Sequence, residues 1–332
     1  MHAQHSGDPS YWHPDDLARD GHWRMAWTAS EVAEIGRMAS RYAAHPWPWA
    51  ETGPGAFEAP ALSARMDRAA QIIANGCGVT VIGGFPVDAF DEDATRAIVL
   101  WLGFQIGEPK GQNADGNVIS SVTDTGMDYR ANVIARGYLT NAELQPHTDG
   151  GDITGLLCMR AAKSGGETLI GNSLAIRAAI RAERPDLLPV YEEGFRYFVR
   201  DADGRSGFML PGRIPVYFAH QGVVSSFLVP RSYEAAAVAT NEPLAVHEVE
   251  ALDYIQRLFY QPRHSLRLSL KPGDLLLFDN WTHFHARTEF SDFEQPERKR
   301  LLYRLWVHAR LERPVPDLMA MLMRPGVRKR PA

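Results

Sequence analysis

The sequence predicts a mainly β protein with flanking helices, built on a jelly-roll core of the double-stranded β-helix type, and three observations carry that prediction. Helical periodicity dominates the first hundred residues and then fades. After Gln105, short apolar runs alternate with Gly, Asn and Asp turns, the signature of an antiparallel sheet or barrel. The strict strand–helix alternation of a doubly wound parallel sheet is missing.

From about Thr28 to Tyr42 and from about Ser63 to Asn75, apolar residues recur at intervals of three and four, which predicts two amphipathic helices. GCGVTVIGGFPV, residues 76 to 87, is a β-branched run bounded by Gly and Pro and predicts a buried strand. A third helix is expected over about Asp91 to Gly103. The runs NVISSVTD, GYLTN, ITGLLCM and ETLIGN then predict successive strands, interrupted by a helix over about Ser173 to Glu183. GFRYFVRD, RIPVYF and VVSSFLV predict three more strands, and a helix over about His247 to Leu258 precedes the last β-rich block. We expect one domain over 1–332: a mostly helical part to residue 105, a jelly-roll core over 106–310 with an insertion at about 175–265, and a tail over 311–332.

The 332 residues are 45% hydrophobic and 23% charged, which is ample material for a packed core. The formal charge is −5, and Lys and Arg are dispersed except at Arg328, Lys329 and Arg330, so no nucleic-acid footprint is expected. That short basic tail reads as a solvated terminus. Cys77 and Cys158 are the two cysteines, each in an apolar stretch, which points to reduced thiols and a cytoplasmic location. MHAQHSGDPSYWHPDD lacks the basic and apolar regions of an export signal, and no apolar run reaches the length of a membrane span. The expected partner is a small molecule, with homo-oligomerisation left open.

In QPHTDGG, residues 145 to 151, His147 and Asp149 are two apart, so on an extended segment both project from one face. One imidazole and one carboxylate are part of the facial two-His, one-carboxylate set of non-haem iron(II) oxygenases, which leaves coordination positions open. The missing ligand must be a distant histidine. Alone, the pair is weak, because a surface turn often carries both residue types. The context is KPGDLLLFDNWTHFHART, a turn, a buried strand and an extended stretch that ends in His283 and His285, followed by ERKRLLYRLWV.

Four blocks, HTDG at 147–150, SGGETLI at 164–170, GDLLLFDNWTHFHART at 273–288 and RLLYRLW at 300–306, together resemble the TauD/TfdA family of taurine dioxygenase and clavaminate synthase type. The resemblance spans about residues 135 to 308, and its specificity lies in the order and spacing of the blocks. It implies an Fe(II)- and 2-oxoglutarate-dependent oxygenase with His147, Asp149 and His285 as metal ligands. The family pattern sets the distal ligand before a small residue, Arg and Thr, as in His285-Ala286-Arg287-Thr288, which favours His285 over His283. His283 is then expected to pack or to support a ligand. Arg300 matches the residue that grips the C5 carboxylate of 2-oxoglutarate, a task suited to a planar guanidinium, with the Thr168 hydroxyl as its helper. Arg304, four residues on along the same strand, matches a position that binds an anionic substrate group in some relatives; a plain ion pair across the sheet is the alternative. Asn141 is a candidate substrate contact.

The implied reaction takes 2-oxoglutarate, O2 and a C–H bond to succinate, carbon dioxide and a hydroxyl group, on a small carboxylate or amino-acid-like molecule. Desaturation and ring closure are alternative outcomes of the same chemistry. Halogenation is disfavoured, because Asp149 stands where the related halogenases carry Gly or Ala. Two rival readings use the same barrel. A cupin-type zinc or iron hydrolase would accept the three ligands, but it has no use for Thr168 and Arg300. A non-catalytic ligand sensor needs no intact ligand set, and here the set is intact. Residues 175–265 and 108–140 are expected to line the pocket.

Overall fold

The computed structural model describes residues 9–113, 116–127, 137–200 and 207–323. Helix α1 (Pro14–Asp20) begins on a proline and stops at Gly21, which takes the left-handed conformation with φ 64°. Strand β1 (Arg24–Ala26) follows, then α2 (Ala29–Ala44), α3 (Pro60–Asn75), β2 (Val79–Gly83) and α4 (Glu92–Ile106). Helix α2 opens on a capping box: the Thr28 hydroxyl accepts from the Glu31 amide at 3.3 Å while the Glu31 carboxylate accepts from the Thr28 amide at 2.7 Å. Next come β3 (Gly107–Lys110), β4 (Ile119–Val122), β5 (Leu144–His147), β6 (Ile153–Arg160), β7 (Ser164–Gly165) and β8 (Thr168–Asn172). The insertion holds α5 (Ser173–Glu183), α6 (Leu188–Glu193), β9 (Phe195–Arg200), β10 (Gly207–Ile214), β11 (Tyr217–His220), β12 (Val223–Ser226), α7 (Pro230–Thr240) and α8 (Val246–Phe259). The chain closes with β13 (Ser265–Leu268), β14 (Leu275–Asp279), β15 (His283–Arg287), β16 (Phe290–Ser291), β17 (Leu301–Ala309) and α9 (Asp317–Met323).

Two sheets face each other across the jelly roll. The larger runs β1-β2-β14-β6-β17-β3, with β4 also paired to β17, and the smaller runs β13-β8-β15-β5. Strand alternation sorts the side chains into three layers. In β17, Tyr303, Leu305 and Val307 turn outward to pack with Ile35, Leu62, Ile98 and Trp101 of α2, α3 and α4. Phe284 and Ala286 of β15 likewise turn outward against Ile176, Ile255 and Phe259 of α5 and α8. Between the sheets lie Val81, Leu156, Ile170, Leu276, Phe278 and Leu302, closed off at one end by Trp12, Leu17 and Trp23. The barrel interior is therefore apolar at that end, and the charged residues are left for the other.

The predicted helices and most strands form within a few residues of expectation. GYLTN does not: Gly137–Leu139 is a single 3-10 turn, because the carbonyls of Tyr138 and Leu139 accept from Thr123 and Thr125 in a loop. RIPVYF is split at Pro215, which has no amide to give to a ladder, so its halves belong to β10 and β11. The first hundred residues are more than helical packing, since β1 and β2 extend the large sheet with β2 paired to β14. Helices α1, α6, α7 and α9 are additional to the expected set. Both cysteines are free thiols, and burial pushes Cys158 up to about 12. Among the described residues, no helix is long and apolar enough to cross a membrane.

Candidate active site

His147 ends β5 and His285 sits in the middle of β15, and the two are direct cross-strand partners. Their rings lie 4.1 Å apart, and Phe278 from the opposite sheet packs against His285 at 4.9 Å. Asp149 follows β5 by two residues. The segment between the two is pinned at Thr148, whose amide donates to the Leu228 carbonyl at 2.7 Å and whose hydroxyl accepts from the Leu228 amide at 3.0 Å. Gly150 follows, where a Cβ would press on the Trp306 ring at 3.0 Å. So the local sequence HTDGG makes a turn that brings the carboxylate back toward the imidazoles.

Nε2 of His285 is 3.7 Å from Asp149 Oδ2, and Nε2 of His147 is 4.0 Å from Oδ1. One donor atom from each of the three residues lies within 4.8 Å of the others, and this is the cluster of metal-ligand type found among the described residues. His147 donates through Nδ1 to the Gln145 carbonyl at 2.7 Å, which fixes the tautomer with Nε2 free to ligate. Burial would raise the Asp149 carboxyl, but the Arg304 guanidinium and then the two imidazoles overrule it and hold it at about 2. Burial lowers both histidines, His285 to about 3. At neutral pH the cluster thus presents two neutral imidazoles and one carboxylate, the protonation state a divalent iron requires.

His283 shares the inward face with His285 but is engaged elsewhere. Its Nε2 accepts from the Trp12 indole at 3.1 Å, and its Nδ1 lies 3.0 Å from both the Thr282 hydroxyl and the Asp279 carbonyl. It packs under the N-terminal segment and lies outside the ligand cluster.

The two arginines of the closing strand both point inward, to different stations. Arg300, just ahead of β17, is 4% exposed. It reaches the Gly166 carbonyl through Nη2 at 3.3 Å, and its Nη1 is buried with no partner. Gly166, at φ 76°, leaves room for it, since a Cβ there would stand 3.0 Å from Arg300 Nε. Two residues along, Thr168 is buried at the start of β8. An orphaned buried guanidinium N–H calls for an anion, because an unmade hydrogen bond to such a group is costly. That pocket fits the distal carboxylate of 2-oxoglutarate, as the ligand cluster fits iron. Arg304 instead donates from Nη1 to Asp149 Oδ1 at 3.1 Å and from Nε to Gln112 Oε1 at 2.8 Å. Tyr138 and Trp306 flank its guanidinium at 4.6 and 4.5 Å. Asn141 has an exposed side chain, and its backbone carbonyl accepts from the Phe290 amide at 3.1 Å.

Gln112, Tyr138 and Trp306 complete the surroundings of Arg304 and were not foreseen. Trp306 carried a signal, being two residues beyond Arg304 on the same strand face. Gln112 and Tyr138 fall in the 108–140 segment expected to line the pocket, but no local pattern singles them out within it.

Residues 45–306 match the family model described as taurine catabolism dioxygenase TauD, TfdA family. FR-33289 synthase of Streptomyces rubellomurinus is 27% identical over 94% of this chain and 92% of its own. Taurine hydroxylase-like protein SAT17 of Stachybotrys chartarum is 27% identical over 76% of this chain and 66% of its own. Among solved structures, asparagine oxygenase with Fe(II), hydroxyasparagine and succinate superposes with a TM-score of 0.69 at 17% identity, covering 86% of this chain and 94% of that one. The non-haem iron oxygenase OrfP with Fe and α-ketoglutaric acid gives 0.63 at 16% identity, covering 92% and 98%. With most of its length matched by the family model and the same jelly roll in its structure, the chain belongs to the TauD/TfdA family and is a 2-oxoglutarate-dependent iron dioxygenase.

Proposed function

We propose that the protein hydroxylates a small anionic molecule of the carboxylate or amino-acid type, with His147, Asp149 and His285 holding the iron. The observation that carries the reading is the division of labour between two buried arginines, Arg300 with an orphaned N–H and Arg304 on the Asp149 carboxylate. Arg300 and the Thr168 hydroxyl hold the C5 carboxylate of 2-oxoglutarate, which leaves its keto-acid end directed at the cluster. The iron, when bound, supplies the oxidising chemistry by which 2-oxoglutarate and O2 become succinate, carbon dioxide and a hydroxylated product.

The remaining work belongs to the chain. Arg304 keeps Asp149 ionised and oriented by its Nη1, and its Nη2, which makes no hydrogen bond within the described residues, offers a donor to a substrate anion. The flanking rings of Tyr138 and Trp306 limit the rotation of that guanidinium and shield it from water, which strengthens its pull on an anion. Asn141, exposed in the loop beside Tyr138, is the proposed second substrate contact. Support for the substrate class comes from two fold relatives, whose structures hold a hydroxyasparagine and a hydroxyarginine.

The test is succinate formation from 2-oxoglutarate by anaerobically iron-loaded protein, with and without oxygen, across a panel of amino acids and small organic acids. We expect oxygen-dependent succinate that an acidic or amino-acid substrate accelerates and that His147→Ala abolishes. Acceleration by neutral compounds alone would reject the substrate class.

A further inference from the structure

Gln112 is buried beside the ligand cluster, and its side-chain amide is fully engaged with Arg304 and the backbone around it. Its Oε1 accepts from Arg304 Nε at 2.8 Å, while its Nε2 donates to the Arg304 carbonyl at 2.7 Å and to the Val118 carbonyl at 2.9 Å. Its own backbone amide donates to the Asn117 carbonyl at 2.9 Å. One glutamine therefore holds one arginine by both its main chain and its guanidinium. Beyond that grip, the guanidinium meets Asp149 with a single nitrogen: Nη1 stands 3.1 Å from Oδ1 and 3.4 Å from Oδ2. This is not the fork of two parallel N–H bonds that a guanidinium and a carboxylate form when both are unconstrained. Tyr138 and Trp306 flank the guanidinium through their rings, which leaves Gln112 as the acceptor for Nε.

We propose that Gln112 is a positioning residue: by occupying Arg304 Nε it stops Arg304 from closing a two-bond fork on Asp149, and so keeps that carboxylate available to a divalent metal. The inference rests on the reading of Asp149 as a metal ligand given above. A buried carboxylate held by two parallel N–H bonds has its oxygens directed at the guanidinium, and a metal would have to break that pair before it could bind. With one nitrogen engaged, the charge of Arg304 still favours the ionised carboxylate, and the carboxylate stays open toward the imidazoles, whose Nε2 atoms lie 3.7 and 4.0 Å from it. A primary amide suits the task. Its oxygen accepts from Nε without setting a second negative charge on Arg304, and its NH2 anchors it to two carbonyls.

Cobalt(II) binding to the full chain, followed by visible absorption, tests the proposal without turnover or substrate. The proteins form a cycle of wild type, Gln112→Met, Arg304→Leu and the double variant. Gln112→Met keeps the length of the side chain and removes the acceptor, and Co(II) affinity should fall by about 10-fold or more, the worth of a charge-assisted hydrogen bond. In the Arg304→Leu background the same substitution should change affinity by about 2-fold or less, since no guanidinium is left to close on Asp149. Gln112→Glu keeps an acceptor for Nε while giving up the amide donors, and should bind Co(II) no more than about 2-fold more weakly than the wild type. An equal loss in both backgrounds overturns the proposal, because it marks Gln112 as packing alone; wild-type affinity in Gln112→Met overturns it too. Should Gln112→Met fail to fold, Gln112→Glu decides, and a loss there beyond about 2-fold rejects the idea. Failure of the underlying reading looks different: His147→Ala would then bind Co(II) as tightly as the wild type.

Discussion

Arg304 and Asp149 are joined by a 3.1 Å contact between a guanidinium and a carboxylate from opposite sheets, both nearly excluded from solvent. Of the two roles open to Arg304, the ion pair is formed, and the proposed role as substrate anchor would use the same side chain. Its partner in the pair belongs to the His147–Asp149–His285 cluster, so an anion held by Arg304 would lie beside that cluster.

Replacing Arg304 with Leu should raise the apparent substrate constant by about 10- to 100-fold, the loss of a charge-assisted hydrogen bond. The 2-oxoglutarate constant should move about 2-fold or less, because Arg300 is a separate station. Steady-state kinetics with each varied in turn measures both. A larger effect on 2-oxoglutarate than on substrate would remove Arg304 from the substrate side.

Arg300→Met should weaken 2-oxoglutarate binding by about 100-fold or more, since it leaves the C5 carboxylate buried and unpaired. Gly166→Ala should weaken it too, by about 10-fold, because the new Cβ would press on Arg300 Nε and a left-handed backbone disfavours Ala. Equilibrium titration of 2-oxoglutarate into metal-loaded protein reads both effects. Unaltered affinity in the Gly166 variant would mean that Arg300 has slack the structure does not show.

His283 and His285 differ by two positions and should part company on mutation. His285→Ala should abolish iron binding while costing little in folding, and His283→Ala should keep iron binding. The latter loses the hydrogen bond from Trp12, whose indole keeps its 2.8 Å bond to the Cys77 carbonyl, so the loss of one shared bond and of a buried ring's packing costs about 1–3 kcal/mol of stability. Metal content and thermal midpoints, taken on the same samples, separate the two. Iron lost from the His283 variant at full stability would reassign the ligand.

How far the sequence reached is visible in these same residues. The alternation of β15 makes both histidines face inward, so period alone could not choose between them. What separates them is the neighbour from 271 residues away, Trp12, which no local pattern announces. His147 and Asp149 were legible from their spacing of two, whereas His285, Thr168 and Arg300 were singled out through the family resemblance; the structure brings His147, Asp149 and His285 together. The Arg304–Asp149 contact was not legible, since it depends on how the two sheets meet. GYLTN has the composition of a strand but forms the turn Gly137–Leu139, because the Tyr138 and Leu139 carbonyls accept from the Thr123 and Thr125 amides in a loop. Helix α7 was missed because its alanine-rich run, with a valine left exposed, gives little contrast between faces.

Acid should destabilise the protein partly through His264. It is 3% exposed, neither ring nitrogen has a hydrogen-bond partner, and burial lowers it to about 4. The unfolded histidine titrates near 6.5, above the folded one, so the unfolded chain takes up a proton that the folded chain refuses. Its contribution is therefore present above about pH 6.5 and lost as pH falls toward 4, up to about 3 kcal/mol. Asp279, raised by burial to about 6, works in the opposite direction, so the comparison must be between variants. His264→Leu should flatten the fall in denaturant midpoint between pH 6.5 and 4 relative to wild type. Parallel curves would show that the imidazole finds a partner in solution.

The hydrogen bond from Trp12 to His283 joins residues 271 positions apart. On a ribosome adding 5–20 residues each second, the donor emerges roughly 14–54 s before its acceptor. For that interval Trp12, Trp23 and the helices behind them have no second sheet to cover, and their apolar faces are open to solvent or to chaperones. Synthesis rate thus enters the yield of this enzyme at its first tryptophan, long before any metal ligand has been made.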